Sequence, residues 1–333
     1  MKNNYILKLI LIYLIVIMAM LSNWLLAEKK LGQTGFQFLS VSSDARAGAM
    51  ANASTTLYMN SSSLFYNPAC LSQMTGFVDI NVSQNNWIAD ITHNVVSTAF
   101  RPLNGKFGVL GFSFIAVNYG EVQGAVVWEN EAGYILTDKL HPSAFSAGIG
   151  YSKSLTDRFS VGGHLKYSGQ QLGKSIIPDG DDYKVKKNLA YAYSLDFGTL
   201  YHTGFKSLVF GMSVRNFSQE IKYEIESFQL PLLFTMGLSM NLMDMFDQLP
   251  SGNSLLFSVD AIHPRSYPEQ LKLGLEYGIL NLIKLRMGYH LVSDEQKMAF
   301  GFGLEKFGIH FNYAYTPFGV FNNVQQISIR FAL

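Results

Sequence analysis

Seven histidines, one cysteine and a scatter of charges are the side chains that could carry chemistry in this 333-residue sequence. His93, His141, His164, His202, His263, His290 and His310 are dispersed, and no two stand at the i, i+4 spacing of a zinc-binding helix. There is no phosphate loop and no Gly-x-Ser-x-Gly elbow, and Gly301-Phe302-Gly303 lies in a strand pattern with no helix after it. Cys70 has no second cysteine to pair with and no basic neighbour to make it a nucleophile, so it reads as a small buried apolar residue. Asp179, Gly180, Asp181 and Asp182 lack calcium-loop spacing and read as a solvated turn. These patterns predict no enzyme, no metal and no cofactor.

The charges are more informative, because they fall on alternate residues. Lys166, Asp196, Arg215, Asp260, Lys272, Glu276, Lys284, Arg286 and Arg330 each interrupt a run in which every second residue is apolar. One dominant sign would suit a selectivity ring. Mixed signs instead predict pairing, among themselves and with an inner segment. Lys166, Asp196, Lys272, Glu276 and Arg286 are accordingly read as an interior charge network. His164, His290 and His310 share the same inner faces and read as part of a satisfied polar interior.

A period of two requires strands to position these residues. In 143–153, Phe145, Ile149 and Tyr151 alternate with Ser146, Gly150 and Ser152, and in 282–291, Leu285, Met287 and Tyr289 alternate with Arg286, Gly288 and His290. A soluble sandwich also alternates, but its second face is rich in Lys, Glu and Thr, whereas here it is Gly, Ser and Ala with single charges. Charged residues are 15% of the chain, aromatics 14%, and no run after residue 26 is long and apolar enough for a spanning helix. Net charge is +1, so there is no electrostatic case for nucleic acid.

The expectation is an all-β protein, an antiparallel transmembrane β-barrel surrounded by outer-membrane lipid. Strands are predicted near 76–84, 93–102, 106–117, 143–154, 158–170, 189–201, 207–217, 231–242, 254–264, 269–279, 282–292, 296–306, 307–316 and 323–333, about fourteen in all. Short links near Leu103, Leu155, Thr203, Leu280 and Phe307 alternate with long ones at 118–142, 171–188 and 218–230. In such barrels short turns face the periplasm and long loops face outward. The link 243–253 is longer than its place requires and reads as an amphipathic turn.

Residues 1–27 have a Lys2/Lys8 positive start, an apolar run from Leu9 to Met20 and a small residue at Ala27, the layout of a secretory signal peptide; an uncleaved anchor helix is the alternative. Residues 28–75 do not alternate and are rich in small side chains, so they read as a plug inside the barrel formed by 76–333. Trp87 and Trp128 read as interfacial anchors or as platforms for a partner. Trp128, Tyr134, Ile135 and Leu136 make the loop 118–142 unusually apolar, the mark of a partner-binding loop.

The run Asp44-Ala45-Arg46-Ala47-Gly48-Ala49-Met50, followed by Tyr66-Asn67-Pro68-Ala69 and Leu71, resembles the N-terminal hatch of FadL-like outer-membrane proteins, and in particular the PorV/PorQ family. Phe311-Asn312-Tyr313-Ala314-Tyr315 and Gln326-Ile327-Ser328-Ile329-Arg330-Phe331 are similar to that family's last two strands, which often carry Asp where this chain has Asn312. The resemblance implies fourteen strands with a luminal hatch, and Asp44, Arg46, Asn67 and Pro68 carry over only as hatch-motif positions, structural or ligand-binding. It implies two functions. PorV-like proteins serve type IX secretion, holding secreted cargo by its C-terminal signal domain beside a larger secretion barrel. FadL-like proteins pass long-chain fatty acids or other hydrophobic ligands. The small, polar inner faces favour the first, and a continuous apolar track would favour the second.

Overall fold

The computed structural model describes residues 34–179, 182–222, 227–245, 252–291, 296–319, 321 and 323–333. The proposed signal peptide at 1–27 lies outside them. The first strands are β1 (Val78–Asn86), β2 (Thr92–Phe100), β3 (Val109–Asn118), β4 (Val122–Val127), β5 (Tyr134–Leu140), β6 (Ser143–Ser154) and β7 (Phe159–Asp179). The middle of the chain supplies β8 (Asp182–His202), β9 (Val209–Ser218), β10 (Ile221–Lys222), β11 (Ser227–Phe228) and β12 (Leu233–Asn241). The last third supplies β13 (Ser254–Pro264), β14 (Gln270–Ile279), β15 (Ile283–His290), β16 (Met298–Lys306), β17 (Ile309–Thr316) and β18 (Val324–Ala332).

Fourteen of these strands close into one antiparallel barrel, and β1 seals it against β18 from Asp79↔Ala332 to Asn86↔Gln325. Closure leaves no unpaired sheet edge, so the wall presents no open row of backbone donors and acceptors to lipid. β4–β5 and β10–β11 are small separate hairpins at the long-loop end.

The wall is inverted relative to a soluble protein. In β1, Asp79, Asn81, Ser83 and Asn85 point inward and are buried, while Ile80 and Val82 point outward and are exposed. In β3, Phe112 and Phe114 face out, and Gly111 and Ser113 face in. An outward band of exposed Leu, Ile, Phe and Tyr around a polar-lined interior suits a hydrocarbon surround.

Residues 171–188 depart from the sequence reading. The described residues among them are strand and not loop: β7 and β8 run on as a paired ladder from Lys174↔Lys187 to Asp179↔Asp182. Their neighbours stop earlier, β6 leaving β7 at Gln171 and β9 leaving β8 at Ser194. Two antiparallel segments satisfy each other's amides beyond the lipid as well as within it, so length alone did not mark the strand ends. The link 243–253 begins with one 3-10 turn, Leu242–Met245, and residues 246–251 lie outside the described set.

Residues 34–75 sit inside the barrel as the short helix Ala45–Ala49 and the 3-10 helices Gln37–Ser40, Asn60–Phe65 and Pro68–Gln73. Ala45, Ala47 and Ala49 are fully buried because small side chains let the helix approach the wall; a Cβ on Gly301 would stand 2.5 Å from Ala49 Cβ. The interior is less polar than the sequence reading holds. Hatch residues Phe36, Phe38, Met59 and Phe65 pack with Val95, Ile115 and Val117 of β2 and β3 in one apolar cluster. The larger apolar residues of the hatch supply the side of the interior that the strand pattern could not show.

Candidate functional site: the hatch seam and outer cavity

The four hatch-motif residues fasten the hatch to itself and to the wall. Asp44 caps the helix, Oδ1 accepting from Arg46 N at 2.8 Å, while Oδ2 accepts from Ser62 Oγ at 2.9 Å. Arg46 crosses to β14, donating Nε to Glu276 at 2.8 Å and Nη2 at 2.9 Å. Asn67 caps the last 3-10 helix through Ala69 N, and its Nδ2 donates to Thr55 O at 2.8 Å and to Thr199 O in β8 at 3.0 Å. Pro68 takes the first helical position, where its missing N–H costs nothing. None of the four lines the cavity described below.

The interior charges form separate sets rather than one network. Glu276 joins Arg46 to Arg286, whose Nε lies 2.6 Å away and whose Nη1 donates to Asn312. Lys166 pairs with Asp196 at 2.8 Å on the other side of the barrel. Lys272 belongs to neither and makes no ion pair among the described residues. Its cross-strand neighbour Asp260 instead turns to the hatch, accepting from Ser54 N, Thr55 N and Thr55 Oγ1 at 2.8, 2.9 and 2.7 Å. Strand periodicity identifies a shared face; it does not say which residues around the barrel meet.

Around Asp196 lies an arrangement the sequence did not disclose. Ser113 Oγ is 2.8 Å from His164 Nε2, and His164 Nδ1 is 3.3 Å from Asp196 Oδ2. The connectivity is that of a hydrolase triad, but the space is full. A Cβ on Gly148 would stand 2.8 Å from Ser113 Oγ, and the Lys166 ammonium holds the same Asp196 oxygen. Asp196 Oδ1 also accepts from Asn216 N at a bulge, where Leu195↔Phe217 gives way to Phe197↔Val214. The set braces the wall. Ser113, His164 and Asp196 come from three strands, so no local motif could have announced them. Of the other histidines, His93 and His290 are also buried inward, and His310 contacts Arg330 at 2.9 Å.

Above the hatch, at the long-loop end, is a cavity of about 900 Å³. Its floor is hatch, with Val41, Asn52 and Tyr66. Its wall carries Arg215, Ile262, Lys272 and His290. Trp87 and Phe318 pack edge to face at its rim, with ring centroids 5.1 Å apart. No Asp or Glu is among the described lining residues. Arg215 lies over the Tyr66 ring and donates Nη1 to Phe65 O, but its Nε has no partner, nor has His290 Nε2. Tyr66 also belongs to the apolar cluster, so cavity and cluster adjoin. The space offers an apolar molecule a surface, and it offers an acidic head group Arg215 and Lys272, neither of which makes an ion pair among the described residues.

Trp128, Tyr134, Ile135 and Leu136 lie apart from this cavity, on the β4–β5 hairpin, which pairs Val126↔Ile135 and Val127↔Tyr134. All four are exposed, and Val127 between them is 88% exposed.

A closed fourteen-strand barrel with an inward hatch and a cavity above it defines a FadL-like fold. No known family profile matches the sequence, and no curated protein matches it. Solved structures do. The Pseudomonas putida toluene transporter TodX is similar at 14% identity and a TM-score of 0.59, over 91% of this chain and 98% of that one. The Ralstonia pickettii toluene transporter TbuX is similar at 10% identity and a TM-score of 0.59, over 91% and 99%. A Pseudomonas aeruginosa FadL homologue is similar at 9% identity and a TM-score of 0.52, over 87% and 98%. At these identities the likeness is one of fold.

Proposed function

We propose that this chain is a non-enzymatic outer-membrane channel that takes up hydrophobic or amphipathic small molecules, fatty acids included, at the cavity above its hatch. The observation that carries the reading is the cavity itself: about 900 Å³, edged by Trp87 and Phe318 and adjoining the apolar cluster through Tyr66. That volume is in the range of small-molecule sites. The likeness to toluene transporters supports a small hydrophobic passenger, and the outward apolar band supports a place in the membrane. The apolar cluster weighs against a secretion scaffold, which a small and wholly polar lumen would favour.

The test is calorimetric titration of the purified, folded barrel with toluene and with decanoate. Saturable binding of either, weakened when Tyr66 is replaced by Ala, supports the channel. No saturable binding of either sinks it.

A second reading, a type IX secretion component holding exported cargo beside a larger barrel, rests on one feature, the exposed apolar hairpin with Val127, Trp128 and Leu136. Its test is mild extraction of wild type and of a chain lacking 122–137, followed by mass spectrometry. Exported proteins sharing a C-terminal β-domain should accompany the first and not the second. Equal recovery from both removes the reading.

A further inference from the structure

The short-turn end of the barrel carries a pattern that neither the cavity nor the hatch explains. Its turns are tipped with large apolar residues. Leu103, Phe107, Leu155, Phe205, Leu280 and Phe307 are all exposed, Leu280 at 71% and Phe307 at 89%. Turns in water are not built this way. A type I′ turn needs positive φ at both central positions, for which Asn and Gly are suited. Here Phe307 adopts φ 55° before Gly308, Leu280 adopts φ 51° before Asn281, and Leu103 adopts φ 48°. A bulky side chain in the left-handed region costs free energy. Three turns bear that cost for an apolar tip, so the tips have an apolar surround.

Beside the tips stand cations. Lys106 precedes Phe107, Lys206 follows Phe205 and Lys306 precedes Phe307, with Lys153 and Arg158 on the rim between. Lys306 Nζ lies 4.9 Å from the Phe307 ring centroid and Lys106 Nζ 5.9 Å from that of Phe107. Among the described residues none of these five cations makes an ion pair. Asp157 and Asp244 are the described acids near this rim, and Glu305, the next inward, faces His310 at 3.4 Å. The tips continue the outward apolar band downward, as at Phe77 and Phe100, whose rings meet at 4.7 Å. Apolar tips at the level where hydrocarbon gives way to water, the three phenylalanine tips each beside a lysine that makes no ion pair among the described residues, match a layer that is apolar on one side and anionic on the other.

We propose that the short-turn rim binds the phosphate head groups of anionic glycerophospholipids, with Lys106, Lys206 and Lys306 as the phosphate contacts and Phe107, Phe205 and Phe307 as their anchors. The proposal rests on the membrane-spanning reading and not on what the channel carries.

The test uses the purified full-length barrel in detergent, titrated with phosphatidylglycerol or phosphatidylcholine of equal chain length. Bound lipid is counted by native mass spectrometry. Wild type should retain phosphatidylglycerol at least about tenfold more strongly than phosphatidylcholine. The triple variant K106Q/K206Q/K306Q, its fold verified by heat-modifiable gel mobility, should retain the two lipids within about twofold of each other. Equal retention of both lipids by wild type overturns the proposal, and so does a triple variant that behaves as wild type. Insertion into pure phosphatidylcholine vesicles is measured separately. A barrel that inserts but shows no head-group preference refutes this inference alone, whereas failure to insert refutes the membrane reading beneath it.

Discussion

Arg46 of the hatch and Glu276 of β14 meet through two parallel N–H···O contacts of 2.8 and 2.9 Å, although 230 residues separate them in sequence. Arg286 donates to the same carboxylate from the adjacent strand at 2.6 Å. Replacing Glu276 with Gln leaves two guanidinium groups facing each other without their counter-charge. Removing one member of such a buried set costs about 3 kcal/mol. We expect E276Q to lower the urea midpoint of the folded barrel and to raise its conductance in planar bilayers. An unchanged midpoint would show that the pair does not hold the hatch.

Gly198 in β8 leaves room for Asn67. A Cβ there would collide with Asn67 Oδ1 and lie 3.2 Å from Pro68 Cδ. The hatch cannot yield, because Asn67 is tied to Thr55 and Thr199. Gly198→Ala should cost about 2 kcal/mol by overpacking and increase protease access to the hatch at Ser72–Gln73. If both remain at wild-type values, the hatch is less tightly seated than its contacts indicate.

Lys272 is a cation of the cavity wall that makes no ion pair among the described residues. Lys272→Met should weaken decanoate binding about tenfold, the worth of one charge-assisted hydrogen bond. Toluene, which has no charge to lose, should bind as before. Parallel losses for both ligands in titration calorimetry would mean that Lys272 shapes the cavity rather than reads a head group.

Cys70 is buried in the hatch, and burial pushes its thiol well above the usual range. Because the thiolate is the reactive form, raising pH from 7 to 9 should leave maleimide labelling of the folded barrel slow. A free thiol would accelerate over the same interval. Labelling should become fast only in denaturant. Rapid labelling of the folded protein at pH 9 would show that the hatch opens readily.

Much of the wall was legible because a barrel strand is a local object. Side chains at i and i+2 share a face whatever the rest of the chain does, so the alternation around Ser146, Asp196 or Arg286 is enough to assign inside and outside. The helix caps are local too, Asp44 and Asn67 acting within two residues of themselves, although in the sequence they read only as hatch-motif positions. The strand ends at 171–188 were not legible, since the lipid boundary leaves no mark on a ladder that satisfies its own backbone.

By itself the sequence determined the strand count, the closed antiparallel architecture and the presence of a small-residue segment to fill the interior, all of which follow from periodicity and composition. Only the tertiary structure decided which charges meet, because partners around a barrel are set by register and by the seating of the hatch. It joined Arg46 to Glu276 and Lys166 to Asp196, left Lys272 unpaired beside a cavity, and assembled Ser113, His164 and Asp196 from separate strands. It also set Phe36, Phe38 and Phe65 against Val95 and Ile115, producing an apolar region within the interior that no single strand shows.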